Sequence, residues 1–412
     1  MAVKKLVVIG GGFGGLTLLK NINNNNLEIL LIDKTNYHLF QPLLYQVATA
    51  ALSPADIAVP IRAVLSNKKN VKVILDEAIS VDRENQRIKL KNSEVEYDYL
   101  VISTGTKHSY FGKDEWEKNA PGLKTLNDAL VIREKIIASL EQAEKENDRA
   151  TKQRYLTFVV VGGGPTGVEL AGAIAEIAKK TIIKDYRNFL PEETKVILVE
   201  AFPRILNTYD SSLSIKAEES LKKMGVEVKT NSKVEDISED YVKLNNSKIY
   251  TKNIIWAAGN LASPLIKTLK IETDRAGRAI VEKDCSIPEY ENIFVIGDAC
   301  SLNDEKGNLL PGVAQVAMQQ GKFVANIISK NIPKSKRENF HYVDKGSLAT
   351  IGKAKAVAEI KGFKFSGLFA WLLWSFIHIF FLISFKNRFR VMIEWIWYYI
   401  TNKRGTRLLV GK

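Results

Sequence analysis

Apolar residues in this chain gather into short unbroken runs, and most of those runs end at a glycine or an acid. Leu6-Val7-Val8-Ile9 is apolar at every position, the pattern of a parallel strand buried on both faces. It leads straight into Gly10-Gly11-Gly12-Phe13-Gly14-Gly15 and a helical stretch from Leu16. A second apolar run over residues 27–32 ends in Asp33. The pattern then recurs: Phe158-Val159-Val160-Val161, Gly162-Gly163-Gly164-Pro165-Thr166-Gly167, a helix of small residues, and a strand over 196–199 ending in Glu200. The spacing predicts a duplicated unit of strand, glycine turn, helix, strand and acid. Two more strands end alike, at Thr104-Gly105 and at Ala258-Gly259, where a side chain would collide with a ligand. Residues 126–149 read as one long charged helix, and 270–284 and 292–298 as strands returning to the first unit.

A glycine-rich turn that follows a strand, opens a helix and precedes a strand ending in an acid is a dinucleotide site. Gly10 and Gly162 make the turn, Gly12 and Gly164 let the backbone approach a pyrophosphate, and Gly15 and Gly167 permit close helix packing. The helix N-terminus then faces the phosphates. Asp33 and Glu200 accept from ribose hydroxyls. Negative charge at Glu200 repels a 2′-phosphate and favours NADH over NADPH, with Arg204 working the other way. Two sites imply two dinucleotides, an electron-transfer flavin and a nicotinamide donor.

The 412 residues, 46% apolar and 25% charged, exclude a disordered chain and a disulfide-stapled mini-protein. The net charge of +13 is concentrated at the C-terminal end, where residues 331–412 hold fifteen basic side chains against four acidic ones. Residues 363–399 also hold 14 of the 37 aromatics, Trp371, Trp374, Trp395 and Trp397 among them. A basic, Trp-rich, apolar tail points to a membrane surface and not to nucleic acid. Its longest apolar run, 368–385, is at the lower edge of the ~17–25 residues a spanning helix needs, and the next, 391–400, is short and carries Glu394. Interfacial helices account for both, with Lys386, Arg388 and Arg390 between them. The dinucleotide units lie upstream, so removing the tail from Gly362 onward is expected to release the protein into the soluble fraction with FAD retained. The two cysteines, Cys285 and Cys300, make no CxxC, and the four histidines no metal cluster; no metal is expected. The apolar strand starting at Leu6 leaves no room for a signal or transit peptide after Met1.

The glycine turn at Gly10, the segment from Asn36 through Gln41-Pro42-Leu43-Leu44-Tyr45 to Ala48, the turn at Gly162 with Glu169, Gly297-Asp298-Ala299, and Ala314-Gln315-Val316-Ala317-Met318-Gln319 together resemble the type II NADH:quinone oxidoreductases. These are single-subunit flavoenzymes with two dinucleotide-binding domains. The resemblance implies an α/β fold with two Rossmann-like domains, the second inserted in the first: an FAD domain of residues 1–112 and 263–340, an NADH domain of 113–262, and a membrane-associating helical segment of 341–412. It implies bound FAD, NADH as substrate and quinone as acceptor without proton pumping, in a homodimer lying on the lipid surface at the cytoplasmic face.

The same resemblance assigns Gly10, Gly11, Gly12, Phe13, Gly14, Gly15, Asp33, Lys34, Ala78, Thr104, Gly105, Asp298, Ala317 and Met318 to FAD. It assigns Gly162, Gly164, Pro165, Thr166, Gly167, Glu169, Glu200, Ala258 and Gly259 to NADH, and Gln315 and Gln319 to quinone. Glu169, read in the first turn of its helix, is either an acid placed well near a helix N-terminus or a carboxylate that relays a proton to the quinone. Gln315 is either a solvent-facing polar residue or a catalytic group at the flavin and quinone site. Asp298 is a helix cap, a flavin contact or both, and the helix from Ala314 would aim its positive end at the flavin. Two other readings remain open. A sulfide:quinone oxidoreductase shares the scaffold but needs several redox cysteines, and a non-catalytic NADH-responsive membrane flavoprotein needs none.

Overall fold

Strands that are apolar throughout must be covered on both faces, and that requirement organises the chain. The structure, a computed structural model, describes residues 3–181, 185–245, 247–401 and 406–409, so 402–405 and 410–412 of the expected tail segment lie outside the described residues. In chain order, the elements that position the site are β1 (Lys4–Ile9), α1 (Phe13–Asn21), β2 (Leu27–Asp33), α2 (Leu44–Ala48), β3 (Thr157–Val161), α3 (Pro165–Glu176) and β4 (Lys195–Val199). They continue with α4 (Ala314–Ser329), β5 (Ser347–Gly352), β6 (Lys355–Ile360), β7 (Phe363–Gly367), α5 (Leu368–Phe381) and α6 (Phe385–Thr401). Two compact units form: Met1–Leu39, Ala58–Lys107 and Asn260–Asp344 in one, and Phe40–Ile57, His108–Gly259 and Lys345–Lys412 in the other.

The first unit is built on a six-stranded sheet in the order Ser286–Ile287, Tyr290–Val295, Tyr99–Ile102, β1, β2, Val71–Leu75. β1 is parallel to both neighbours, with Val7 opposite Leu30 on one side and Leu100 on the other. The strand order reverses at β1, which opens a crevice at its C-terminal end, where open α/β sheets bind ligands. Leu6, Val7 and Val8 are fully buried. α1 crosses α4 so closely that a Cβ at Gly321 would collide with the carbonyl of Gly14.

The second unit repeats the plan on a four-stranded sheet in the order Val226–Lys229, β4, β3, Asn253–Trp256, with Val160 opposite Leu198 and Ile255. Beside it β5, β6 and β7 form an antiparallel sheet that lies on α3: a Cβ at Gly172 would collide with the carbonyl of Ile351. Tyr209 donates to Leu348 O (3.1 Å) and Lys364 pairs with Asp210 (2.6 Å), tying the same sheet to the segment after β4.

Several elements differ from the sequence reading. The long helix of 126–149 is two helices, Leu126–Lys145 and Arg149–Tyr155, because Asp148 accepts from the Thr151 amide (2.7 Å) and caps a new start. The expected strand over 270–284 is interrupted by a turn in which Asp274 accepts from the amides of Ala276 (2.9 Å) and Arg278 (3.0 Å). The apolar run of 368–385 breaks at Leu382–Ser384, where Ser384 takes φ +82°, so α5 has 14 residues. Among the described residues no helix is long and apolar enough to cross a membrane. The tail is not a detachable appendage, since α5 and α6 bury Trp374, Val391 and Trp395 within the second unit. Their other face is apolar and exposed: Phe369, Leu372, Phe376 and Phe380 on α5, and Phe385, Phe389, Ile393, Trp397 and Ile400 on α6.

Candidate functional site

The glycine turn of the first unit is an open cradle. Gly10 turns the chain at φ +101° and donates to Ile32 O (2.8 Å). A Cβ at Gly15 would collide with the Gly10 carbonyl, whereas one at Gly12 would meet nothing within 4 Å. α1 begins there without a side-chain cap and without an acid in its first turn, so its amides remain available to an anion. Asp33 holds the loop from below: Oδ2 accepts from the Gly11 amide (2.5 Å) and Oδ1 from the Thr35 amide (2.6 Å) and hydroxyl (2.8 Å).

Two buried groups around this cradle lack partners, as a site for a polar cofactor requires. Thr104 Oγ1 has none, and His38 donates from Nδ1 to Gly11 O (3.0 Å) while its Nε2 has none. Burial lowers the His38 pKa, which keeps the ring neutral. The residues present therefore fit FAD: the open backbone at Gly12 would admit its pyrophosphate, and Thr104 would offer its hydroxyl to a polar atom of the cofactor. Lys34 directly follows β2, Ala78 opens the strand Ala78–Asp82, and Gly105 takes φ +63° with open space beside it.

Asp298 lies inside a single helical turn, Gly297–Ala299, with Gly312 packed against its carboxylate. That turn is fixed by a residue the sequence reading passed over. Gln320, fully buried, accepts from the Gly297 amide (2.7 Å) and donates to Cys300 Sγ (3.2 Å). Ala317 packs on Gly297 and Gly14, and Met318 follows it on α4. α4 does begin at Ala314, with Gln315 in its first turn and no acid there. Gln319 is committed elsewhere: its amide donates to Val343 O (2.9 Å) and accepts from Val343 N (3.0 Å), the pattern of a structural clamp.

The second turn repeats the backbone geometry of the first. Gly162 takes φ +110° and donates to Val199 O (2.8 Å). A Cβ at Gly167 would collide with Gly162 O, and one at Gly164 would meet nothing within 4 Å. Pro165 opens α3 beside the exposed Thr166, again without a side-chain cap. Glu200 plays the part of Asp33, accepting from the amides of Gly163 (2.5 Å) and Phe202 (2.8 Å). Arg204 donates to Asn207 O (3.0 Å). Ala258 precedes Gly259, which takes φ +76°, and a Cβ there would collide with Ser109 O and the Phe111 ring, so protein atoms and not only a ligand require the glycine.

α3 continues from this turn into the wall of a cavity. Because the helix starts at Pro165, Glu169 is its fifth residue and lies in the second turn, not the first. Glu169, Ala173 and Glu176 line the cavity together with Tyr45 and Gln46 of α2, residues 350–353 at the end of β5, and the rings of Trp371, Trp374, Trp395, Tyr398 and Tyr399. Glu169 is deep in the protein yet open to the cavity, and burial pushes its pKa up to about 8 against a hydrogen bond from the Thr350 backbone. Glu176 is held differently, accepting from Lys353 N (2.5 Å) and from the Tyr398 hydroxyl (2.8 Å). Lys353 Nζ donates to Tyr399 O (2.7 Å). On the opposite wall Trp395 donates to Gln46 Oε1 (2.8 Å) and Gln46 Nε2 donates to the Tyr45 oxygen (2.8 Å). The sequence does not single out Gln46 or Glu176, and it marks Trp374 and Trp395 only as part of a membrane-facing tail, not as a cavity wall. For Gln46 the signal was present, since it belongs to the matched segment that contains Gln41 and Tyr45.

Comparison with known proteins places this arrangement. Residues 4–321 match the pyridine nucleotide-disulphide oxidoreductase family and residues 345–403 match the NDH2 C-terminal domain. The chain is 40% identical to the type II NADH:quinone oxidoreductase NdhA of Mycobacterium tuberculosis, over 99% of this chain and 90% of that protein. It is 39% identical to the Ndh enzyme of the same organism, over 97% and 89%. Among solved structures, NDH2 from Plasmodium falciparum in complex with NADH superposes with a TM-score of 0.90 at 23% identity, covering 98% of this chain and 99% of that one.

Proposed function

The chain belongs to the type II NADH:quinone oxidoreductases, and from that premise we propose how its own residues divide the work. It is an α/β flavoenzyme that oxidises NADH and reduces a quinone. The first glycine turn, with Asp33 and Thr104, holds FAD, and the second, with Glu200, holds NADH. FAD, when bound, supplies the two-electron chemistry between the nicotinamide and the quinone.

One observation carries the rest of the reading: a single helix, α3, presents an uncapped, open glycine turn at its N-terminus and a carboxyl of raised pKa in an aromatic cavity one turn further on. Quinone reduction consumes protons, and Glu169 holds one at neutral pH where a bound quinone can take it. The aromatic walls suit a flat apolar ring, so the cavity is assigned to the quinone. Gln315 acts at the flavin edge of the same reaction from the first turn of α4. Gln319, clamped to Val343, supports the fold of that helix and leaves quinone contact to others.

The two cysteines do not support sulfide chemistry. Both are buried, burial pushes Cys300 up to about 12 and Cys285 well above the ordinary thiol range, and neither supplies a thiolate at neutral pH. The exposed apolar face of α5 and α6, flanked by exposed Lys386 and Arg390, lies on a lipid surface, which brings the cavity to the membrane-dissolved substrate.

An anaerobic absorption experiment tests the division of work. NADH should bleach the flavin band and a soluble quinone should restore it; in Gln315→Leu the restoration should slow more than the bleaching. A variant slowed only in the bleaching step would move Gln315 to the nicotinamide half of the reaction.

A further inference from the structure

Trp374 is 1% exposed and lines the aromatic cavity, yet its indole Nε1 is buried with no hydrogen-bond partner. Its neighbour Trp395 differs, since that N–H is committed to Gln46 Oε1 (2.8 Å). Folded proteins pair nearly all their buried N–H groups, because an unpaired one loses its water and gains nothing in return. The unpaired indole N–H of a tryptophan that lines a ligand cavity is therefore suited to an acceptor that arrives with the ligand.

The ring is also held in place. It stacks on His378 at 4.2 Å (27°) and on Trp395 at 5.4 Å (28°), and His378 Nδ1 donates back to Trp374 O (2.7 Å). Burial lowers His378 to about 4, so the stack is uncharged at neutral pH. Glu169, which holds its proton at neutral pH, and the rings of Trp371, Trp374 and Trp395 offer no cation to an anionic ligand. An uncharged, planar ring carrying a carbonyl acceptor satisfies all of these constraints.

Resting on the assignment of this cavity to the quinone, we propose that the Trp374 indole N–H donates a hydrogen bond to a carbonyl oxygen of the quinone, making Trp374 a binding and orienting residue for the acceptor. The donor fixes which edge of the ring enters first, while the Trp374–Trp395 stack supplies the flat wall.

Trp374→Phe keeps a stacking ring and removes the N–H. Steady-state kinetics with a water-soluble ubiquinone analogue should show KM for the quinone raised roughly tenfold, with kcat at saturating quinone within about twofold of the parent. KM for NADH, FAD absorbance per chain and Tm serve as readouts that a merely structural role would move. Ala173→Val, which fills the cavity without touching the donor, is measured beside it and should also raise KM for the quinone. If Ala173→Val raises that KM and Trp374→Phe leaves it unchanged, the donor role is overturned and the cavity assignment stands. If neither variant changes it, the cavity assignment fails and takes this proposal with it. Loss of FAD or a raised KM for NADH in Trp374→Phe would make Trp374 a packing residue and overturn the proposal as well.

Discussion

Glu169 and Glu176 stand two helical turns apart on one face of α3, and both line the same aromatic cavity. Their surroundings separate them. Glu176 receives a backbone amide and the Tyr398 hydroxyl, whereas Glu169 has one opposing backbone hydrogen bond from Thr350 and is dominated by burial. One carboxylate fastens α3 to the turn after β5 and to α6, and the other keeps a proton.

That difference sets a pH dependence. With a pKa of about 8, Glu169 is protonated at neutral pH, so the quinone-dependent return of the flavin band should slow as pH rises through about 8. Glu169→Gln should lack this alkaline limb and be slower at neutral pH by roughly 10²–10⁴-fold, the usual contribution of a general acid. An unchanged limb in the variant, read by stopped flow, would assign the titration to another group. The sign for stability follows from the same shift: above the ordinary carboxyl pKa the native state keeps a proton that the unfolded chain has released. This group's contribution therefore falls as pH rises from about 4.5 to about 8.

Gly12 and Gly164 give a paired test of which turn holds which nucleotide. A Cβ at either position meets no atom within 4 Å beyond its chain neighbours, so valine there should fold and act chiefly on the ligand. Gly12→Val should purify without flavin, and Gly164→Val should purify yellow with a KM for NADH raised at least about tenfold. Yellow protein from Gly12→Val would mean that the two sites are exchanged. Gly15→Ala and Gly167→Ala are different in kind. Their Cβ atoms would collide with the carbonyls of Gly10 and Gly162, and both variants should lose soluble expression.

Nucleotide choice rests on Glu200. Both of its carboxylate oxygens are held by backbone amides, those of Gly163 and Phe202, which fixes the negative charge at the end of β4. kcat/KM should favour NADH over NADPH by at least about tenfold, and Glu200→Gln should narrow the ratio chiefly by improving NADPH. Equal efficiency of the two nucleotides in the parent protein would remove Glu200 from the explanation.

The dinucleotide cradles were legible because they are local: strand, turn and helix lie within about thirty residues, and each glycine answers a backbone requirement that spacing alone reveals. The cavity was not, because it brings together residues 46, 169, 353, 374 and 395, which have no common period. Glu169 was placed a turn too early because Pro165, not Gly167, starts the helix. Gln319 and Gln320 are adjacent and chemically identical, yet one clamps Val343 and the other holds the Gly297 turn. Only tertiary packing assigns those tasks. The break between α5 and α6 depends on the left-handed backbone of Ser384, a residue that gives no such signal in sequence.

Membrane attachment is best tested on the exposed face, because truncation would also remove the cavity wall that Trp374 and Trp395 supply. Phe376, Phe380, Phe389 and Ile393 are all exposed, with Phe376 at 68%, and substitution at such positions ordinarily shifts stability by no more than about 0.5 kcal/mol. A variant with serine at all four should keep FAD and a near-parental Tm but move from the membrane pellet to the supernatant. Replacing exposed Lys386 and Arg390 with glutamine should weaken binding to anionic vesicles by roughly 1 kcal/mol per charge, and salt should mask that loss. The two effects differ in salt dependence, since apolar insertion persists at high ionic strength while the electrostatic share does not. Flotation with vesicles at low and high salt reads both. Full membrane binding by the four-serine variant would show that α5 and α6 do not form the attachment surface.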